Sequence, residues 1–351
     1  MNRIAKESPE FRKLMFEEAG ARKGIDAALI EKDFWVCWTL KRIFEIDVLK
    51  EHLIFKGGTS LSKVHNVIKR FSEDIDLTIG KELLGFTGDH DPNIITARKD
   101  REKVIEQMMK ACSAYINGEL ATLIRASFTQ VLQESGGWKI EPDASDNDAQ
   151  TLLFYYPSTL KVPDYIRPAV KLEFGSKSDM WPSSLSKIRP YAAEIFPDAF
   201  KEPDCELKVM TAARTFWEKA TILHQEAHRP DDKPLPSRLS RHYYDLAMLS
   251  GTDIRAKALG DLSLLKRVVE HKQYFFRCGW AQYEKALPGT FRLIPSAIRL
   301  AGLRKDYDNM QLMMFEQSPS FDEIIISLTQ LENDINKLVA SQNGDLSSKP
   351  A

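Results

Sequence analysis

The spacing of apolar and polar residues predicts helices at the start of the chain. Ser8 before Pro9 has the form of a helix cap followed by a first-turn proline, and Asp26 is placed to cap a second helix. In LIEKDFWVCWTLKRIFEI (29–46), apolar residues recur at helical spacing. The first 46 residues are therefore predicted to be mainly helical.

A strand, turn, helix, strand unit is predicted next. Residues 53–55 are a short apolar strand, which Gly57 and Gly58 interrupt. Residues 59–68 return to helical spacing, and residues 74–79 alternate polar and apolar positions as a half-buried strand does.

The rest of the pattern predicts an α+β protein. Residues 80–95 form a loop, residues 95–132 a helical region broken near Gly118, and residues 138–140, 151–156 and 169–174 three strands of a small mixed sheet. Helices are predicted from residue 211 onward, including 211–228 and 237–249. We therefore predict a first domain of residues 1–203, a helical domain of residues 204–343 and a frayed tail of residues 344–351.

Composition adds limits on compartment and partners. With 351 residues, 43% of them apolar and 28% charged, the chain has the make-up of a folded protein larger than one ordinary core. The net charge of -1 provides no general attraction for nucleic acid. The four scattered cysteines are typical of reduced thiols in the cytoplasm. Because neither a signal peptide nor a membrane-spanning apolar run is recognised, we predict a cytoplasmic protein without a membrane partner.

A pair of aspartates offers the first chemistry. On a strand, Asp74 and Asp76 project from the same face, while Ile75 and Leu77 project into the core. Two carboxylates this close favour a compensating cation, and Mg²⁺ is commonly held by carboxylates together with substrate phosphates. The alternative is a solvated edge strand, which is the ordinary explanation of an isolated pair of this kind.

Two further features favour a phosphate and metal site. Glycines at 57 and 58 let the backbone approach a phosphate, and a helix beginning near Thr59 directs its positive end toward that phosphate. Glu173 in KLEF, with Lys171 on the same face, is a candidate third ligand for a site with two Mg²⁺ ions. A solvent-facing Glu173 is the alternative.

The combination of segments resembles a known family. IEKDFWV (30–36), FKGGTSL (55–61), RFSEDIDL (70–77), TFWEKATILH (215–224) and RHYYDLAML (241–249) are similar, in that order, to the AbiEii/AbiGii nucleotidyltransferase toxins of the polymerase beta-like superfamily. The resemblance implies a type IV toxin–antitoxin or abortive phage-infection protein. It also implies transfer of a nucleoside monophosphate from an NTP, with Mg²⁺ assisting and pyrophosphate leaving.

The resemblance also implies roles for individual residues. Asp74 and Asp76 are the metal-binding catalytic pair, Lys219 and Asp245 contact the nucleotide and complete the site, and the phosphate turn contains Gly58, Thr59 and Ser60. From the residues themselves, the predicted nucleotide-binding set is completed by Lys56, Gly57, Arg70 and Ser72.

Alternatives remain open for several of these residues. Lys219 could be a surface lysine, and Asp245 could pair with Arg241 one helical turn earlier. Lys32 and Asp33, inside an apolar helix, are alternatively a structural pair that orients the phosphate turn.

Relatives of the family modify a tRNA acceptor end, so RNA, with tRNA first, is the expected acceptor. SRLSRHYY (237–244) and HKQYFFRCGW (271–280) combine basic and aromatic residues suited to RNA. A helical second half is expected to close over the site, and an antitoxin is expected to be encoded nearby. The alternatives are transfer to a protein or small molecule, and a non-catalytic RNA-binding protein.

Overall fold

The computed structural model describes residues 1–72, 74–133, 136–161 and 168–344. The tail predicted to fray lies outside the described residues apart from Gly344. In the ranges that are described, no helix is both long enough and apolar enough to cross a membrane.

The described strands form one mixed sheet. They are β1 (Leu53–Lys56), β2 (Asp74–Ile79), β3 (Lys139–Pro142), β4 (Thr151–Tyr155), β5 (Val170–Gly175), β6 (Ser183–Ile188) and β7 (Cys205–Met210). Their order across the sheet is β3-β4-β5-β2-β1-β7-β6. β2 runs parallel to β5 and β1 parallel to β7, while the other neighbours are antiparallel.

Helices precede the sheet, cross it and follow it. Before β2 lie α1 (Asn2–Lys6), α2 (Pro9–Lys23), α3 (Ala27–Phe44), α4 (Asp47–Lys50) and α5 (Gly57–Lys63). Between β2 and β7 lie α6 (Arg98–Tyr115), α7 (Ala121–Thr129) and α8 (Tyr191–Ile195). After β7 come α9 (Ala212–Ala227), α10 (Ser240–Ser250), α11 (Asp253–Leu259), α12 (Leu262–Phe275), α13 (Ala297–Met310) and α14 (Phe321–Gly344). The predicted α+β class is confirmed.

Local sequence signals account for several helix boundaries. The Ser8 side chain accepts a hydrogen bond from the Phe11 N–H at the start of α2, and the Asp26 side chain accepts one from Ala28 at the start of α3. Near Gly118, where a break is predicted, the chain forms a π-helical segment between α6 and α7. π-helical segments are rare, and they occur mostly as single turns that interrupt an α-helix.

Two strands and both bounds of one helix differ from the sequence prediction. β6 and β7 are absent from the sequence prediction, because β6 is largely polar and exposed and β7 lies where a domain boundary was expected. α5 begins at Gly57 rather than near Thr59, and it ends at Lys63 rather than at residue 68. Shortly after that end, Asn66 adopts a positive φ of 50°, which does not continue a right-handed helix.

Chain contacts divide the protein into two compact units. The first unit contains residues 1–65 and 71–210, and it holds the sheet and α1 to α8. The second contains Asn66–Arg70 and the chain from Thr211 onward, including α9 to α14. Asn66–Arg70 therefore belongs structurally to the helical unit, although it precedes β2 in sequence.

Candidate active site

The predicted aspartate pair lies on β2, the central strand of the sheet. Ile75 and Leu77 are fully buried, whereas Asp74 and Asp76 are half-buried. Since alternate residues of a strand face opposite sides, the apolar pair anchors β2 in the core and holds both carboxylates on the other face. The predicted geometry of this strand is confirmed.

The parallel neighbour of β2 brings Glu173 beside this pair. Asp76 is aligned with Glu173, and Asp74 with Lys171, so the four side chains share one face of the sheet. Lys171 forms an ion pair with Glu173. Although burial opposes it, hydrogen bonding and charge from Glu173, with charge from Asp74, raise the pKa of Lys171 above its ordinary value. Lys171 is thus a resident cation of the carboxylate face.

The other neighbour of β2 brings the glycine turn against the same carboxylates. Lys56, the last residue of β1, is aligned with Asp76, and its Nζ donates a 2.7 Å hydrogen bond to Ser178. Gly57 follows with φ +77°, and a Cβ built there would lie 1.8 Å from Oδ2 of Asp76. Because no side chain has room at this position, glycine is required both by the backbone angle and by the approach of Asp76.

Hydroxyl groups of α5 fasten the turn to β2. The buried Thr59 hydroxyl donates to the Asp74 carbonyl at 2.6 Å and lies 3.0 Å from Oγ of Ser72. The buried Ser60 hydroxyl donates to the Gly57 carbonyl at 2.8 Å. Thr59 and Ser60 therefore shape the turn through bonds within the protein.

The second unit contains a separate buried charge cluster centred on Asp245. Arg70 donates to Oδ1 through Nε at 2.8 Å and to Oδ2 through Nη2 at 2.9 Å, while Lys219 donates to Oδ2 at 2.8 Å. Burial alone would raise the pKa of Asp245, but Arg70 and Lys219 hold it well below its usual range. Asp245 is therefore a charged counterion for two buried cations.

His242 extends this cluster on α10. Lys219 Nζ lies 3.0 Å from His242 Nδ1, and burial together with the charge of Lys219 lowers the pKa of His242 well below its ordinary value. A lowered pKa favours the neutral imidazole, and Nδ1 is placed to accept from the Lys219 ammonium. The interpretation of Lys219 as a surface lysine is wrong, since it is only 8% exposed. Asp245 pairs with Arg70 and Lys219 rather than with Arg241.

Comparison with known proteins decides the family. The family model described as nucleotidyl transferase AbiEii toxin, type IV TA system, matches residues 38–327, more than four fifths of the 351-residue chain. The chain belongs to the AbiEii toxin family. It is therefore a nucleotidyltransferase toxin of a type IV toxin–antitoxin system, as the sequence resemblance implied.

The other comparisons add little to this assignment. No curated protein matches the chain. Among solved structures, it is similar to MenT4, a nucleotidyltransferase toxin from Mycobacterium tuberculosis H37Rv, at 16% identity and a TM-score of 0.40. That match covers 94% of this chain and 98% of the MenT4 chain.

The AbiEii carboxylate face suits Mg²⁺ by the chemistry of its donors. Asp74 and Asp76 offer hard oxygen atoms, and Mg²⁺ usually takes one or two protein carboxylates and completes its shell with water and substrate phosphates. Among the described residues, no group of three or more His, Cys, Asp and Glu side chains is arranged to hold a metal ion. With Glu173 engaged by Lys171, its role as a third ligand stays a prediction.

The predicted site residues of this AbiEii protein fall into two groups. The first unit holds the aspartate pair, Glu173 and the residues of the glycine turn, whereas Arg70, Lys219 and Asp245 lie in the second unit. His242 is not among the residues predicted from the sequence, although it lies in the RHYYDLAML segment that carries the family resemblance. The feature of the sequence that could have indicated His242 is its position three residues before Asp245, about one helical turn away.

Proposed function

We propose that this AbiEii toxin transfers a nucleoside monophosphate from an NTP to an RNA 3′ end, with Mg²⁺ bound at Asp74 and Asp76. One observation supports this proposal above the others. The Gly57 backbone lies directly against the Asp76 carboxylate, on the face that also carries Asp74 and Glu173. A phosphate-binding turn and a hard-metal ligand pair are thereby adjacent, which is what a metal-bound triphosphate requires.

Each group of residues has a part in this reaction. The half-buried aspartates hold the metal, and the glycine turn with Lys56 receives the triphosphate. In the second unit, Arg70 and Lys219 both pair with the single carboxylate of Asp245. Two positive charges against one negative charge leave a net positive charge, which is suited to phosphate oxygens. Bound Mg²⁺ would neutralise triphosphate charge and increase the acidity of the attacking hydroxyl.

The RNA acceptor, with tRNA first, follows from the family resemblance and from the basic and aromatic segments at 237–244 and 271–280. An antitoxin encoded nearby is the expected partner of a toxin from such a system.

Labelled NTPs test both the chemistry and the acceptor. Wild type is incubated with each NTP, Mg²⁺ and separate pools of RNA, protein and small molecules. We expect label at RNA 3′ ends, abolished in Asp76→Ala and retained in Asp89→Ala, which removes an exposed aspartate of the same unit. Label in protein or small molecules with unlabelled RNA would contradict the proposed acceptor. Equal labelling by Asp76→Ala would contradict the proposed site.

A further inference from the structure

A charged residue inside the apolar helix α3 has an unexpected partner. Asp33 is buried with 3% of its side chain exposed, and it pairs at 2.7 Å with Lys63, whose side chain is 6% exposed. The sequence offers Lys32 as an adjacent partner, but Lys63 lies thirty positions later, at the last residue of α5. The pair therefore joins α3 to the last residue of α5, the helix whose first turn contains the glycines.

Tyr191 completes the cluster from a third element. Its backbone N–H, at the first residue of α8, donates to Oδ2 of Asp33 at 2.6 Å. The Lys63 ammonium lies 3.6 Å from the centroid of the Tyr191 ring, a close cation–π contact. Asp33, Lys63 and Tyr191 thus form a buried cluster, named here the α5 clamp.

The electrostatics of the clamp favour a charged lysine. Burial alone would lower the pKa of Lys63, but the negative charge of Asp33, together with further contributions from Cys37, Tyr191 and the Asp33 hydrogen bond, raises it above its ordinary value. The Lys63 amine consequently stays protonated within the protein. The Asp33 carboxylate and the Tyr191 ring contact Lys63, and the Tyr191 N–H donates to Asp33. Removing either charge alone leaves the other buried and uncompensated.

α5 links the clamp to the carboxylate face. It has seven residues, and a helix this short is unstable by itself, so its position depends on tertiary contacts. At its first residue Gly57 meets Asp76, and two residues later Thr59 bonds to the Asp74 carbonyl. Its last residue is Lys63, so a displacement there is transmitted to the turn along about 10 Å of helix.

We propose that Asp33 and Lys63 are positioning residues for nucleotidyl transfer, and that the α5 clamp fixes the glycine turn against Asp74 and Asp76. The catalytic consequence rests on the proposed function, whereas the fixing of α5 does not. The clamp explains why the IEKDFWV segment, distant in sequence from the glycine turn, carries charge in its apolar helix.

The test uses two clamp variants. One carries Lys63→Met alone, and the double variant carries both Asp33→Asn and Lys63→Met. The double variant removes both charges, so neither is left unpaired. Ile116→Ala is the control, because Ile116 is fully buried in the core of the same unit and removing its side chain lowers stability without changing a residue of the clamp. Hydrogen exchange of residues 57–63 is measured alongside steady-state transfer kinetics.

We expect both clamp variants to lose protection at residues 57–63 and to lower kcat by on the order of 10-fold, with the KM for the acceptor unchanged. Ile116→Ala, compared at a melting temperature similar to that of the clamp variants, should keep wild-type protection at residues 57–63 and wild-type kcat. Wild-type protection at residues 57–63 in the double variant would overturn the clamp. Lost protection with unchanged kcat would show that the clamp holds α5 without affecting catalysis, and would overturn the positioning role of Asp33 and Lys63. Absence of transfer by wild type would refute the proposed function and leave the fixing of α5 unaffected.

Discussion

Gly57→Ala tests the contact on which the candidate site depends. The added Cβ would lie 1.8 Å from Oδ2 of Asp76, while real Cβ contacts are essentially never shorter than 3.0 Å. The carboxylate or the turn must therefore move by at least 1.2 Å, the difference between these distances. A misplacement of about 1 Å in an active site can reduce the rate by about 100-fold. That factor corresponds to about 2.7 kcal/mol of barrier.

The backbone angle adds a separate and smaller cost. Gly57 has φ +77°, and an L-residue in this region loses about 1–2 kcal/mol of stability. Gly85→Ala is the matched control, since Gly85 has φ +82° in the same unit and open space within 4 Å of its Cβ position. It imposes a similar backbone strain without a steric clash.

The assay measures kcat for labelled NTP transfer, together with the free energy of unfolding in urea. We expect both variants to lose similar stability, and only Gly57→Ala to lose about two orders of magnitude in kcat. If Gly57→Ala transfers nucleotide as fast as Gly85→Ala, the inference that the turn and Asp76 act together is refuted.

Three further predictions concern charge and hydrogen bonding. Asp245→Asn should lower the free energy of unfolding by about 3–5 kcal/mol in urea denaturation, because it leaves the buried Arg70 and Lys219 uncompensated; unchanged stability would argue against a buried counterion. Since these cations lower the pKa of Asp245 in the folded protein, its stabilisation is present above about pH 4 and should decline below it, so the difference between wild type and Asp245→Asn narrows in acid. Thr59→Val should cost about 1 kcal/mol through its lost bond to Asp74, measured by thermal unfolding.

The alternation of residues in β2 was sufficient to predict the aspartate face. Apolar Ile75 and Leu77 fix which side of the strand is buried, so the facing of Asp74 and Asp76 follows from local sequence. The glycine turn was likewise predictable, because two glycines end an apolar strand just before a helical stretch.

Long-range pairing was not available from the same signals. Local spacing shows that Glu173 lies on a strand, but its alignment with Asp76 depends on how β2 and β5 pair across almost one hundred residues. Arg70 meets Asp245 across 175 positions, and Asp33 meets Tyr191 across 158. Charged residues inside apolar helices indicate that a buried partner exists, yet they do not identify it.

The most direct test of the central claim is growth arrest read together with RNA 3′ ends. Cells express wild type or Asp76→Ala at equal levels, growth is followed, and RNA 3′ ends are sequenced. The proposed site predicts arrest and added 3′ nucleotides with wild type, and neither with Asp76→Ala. Equal arrest by both proteins, without added nucleotides, would contradict a toxin that acts by nucleotidyl transfer at this carboxylate face.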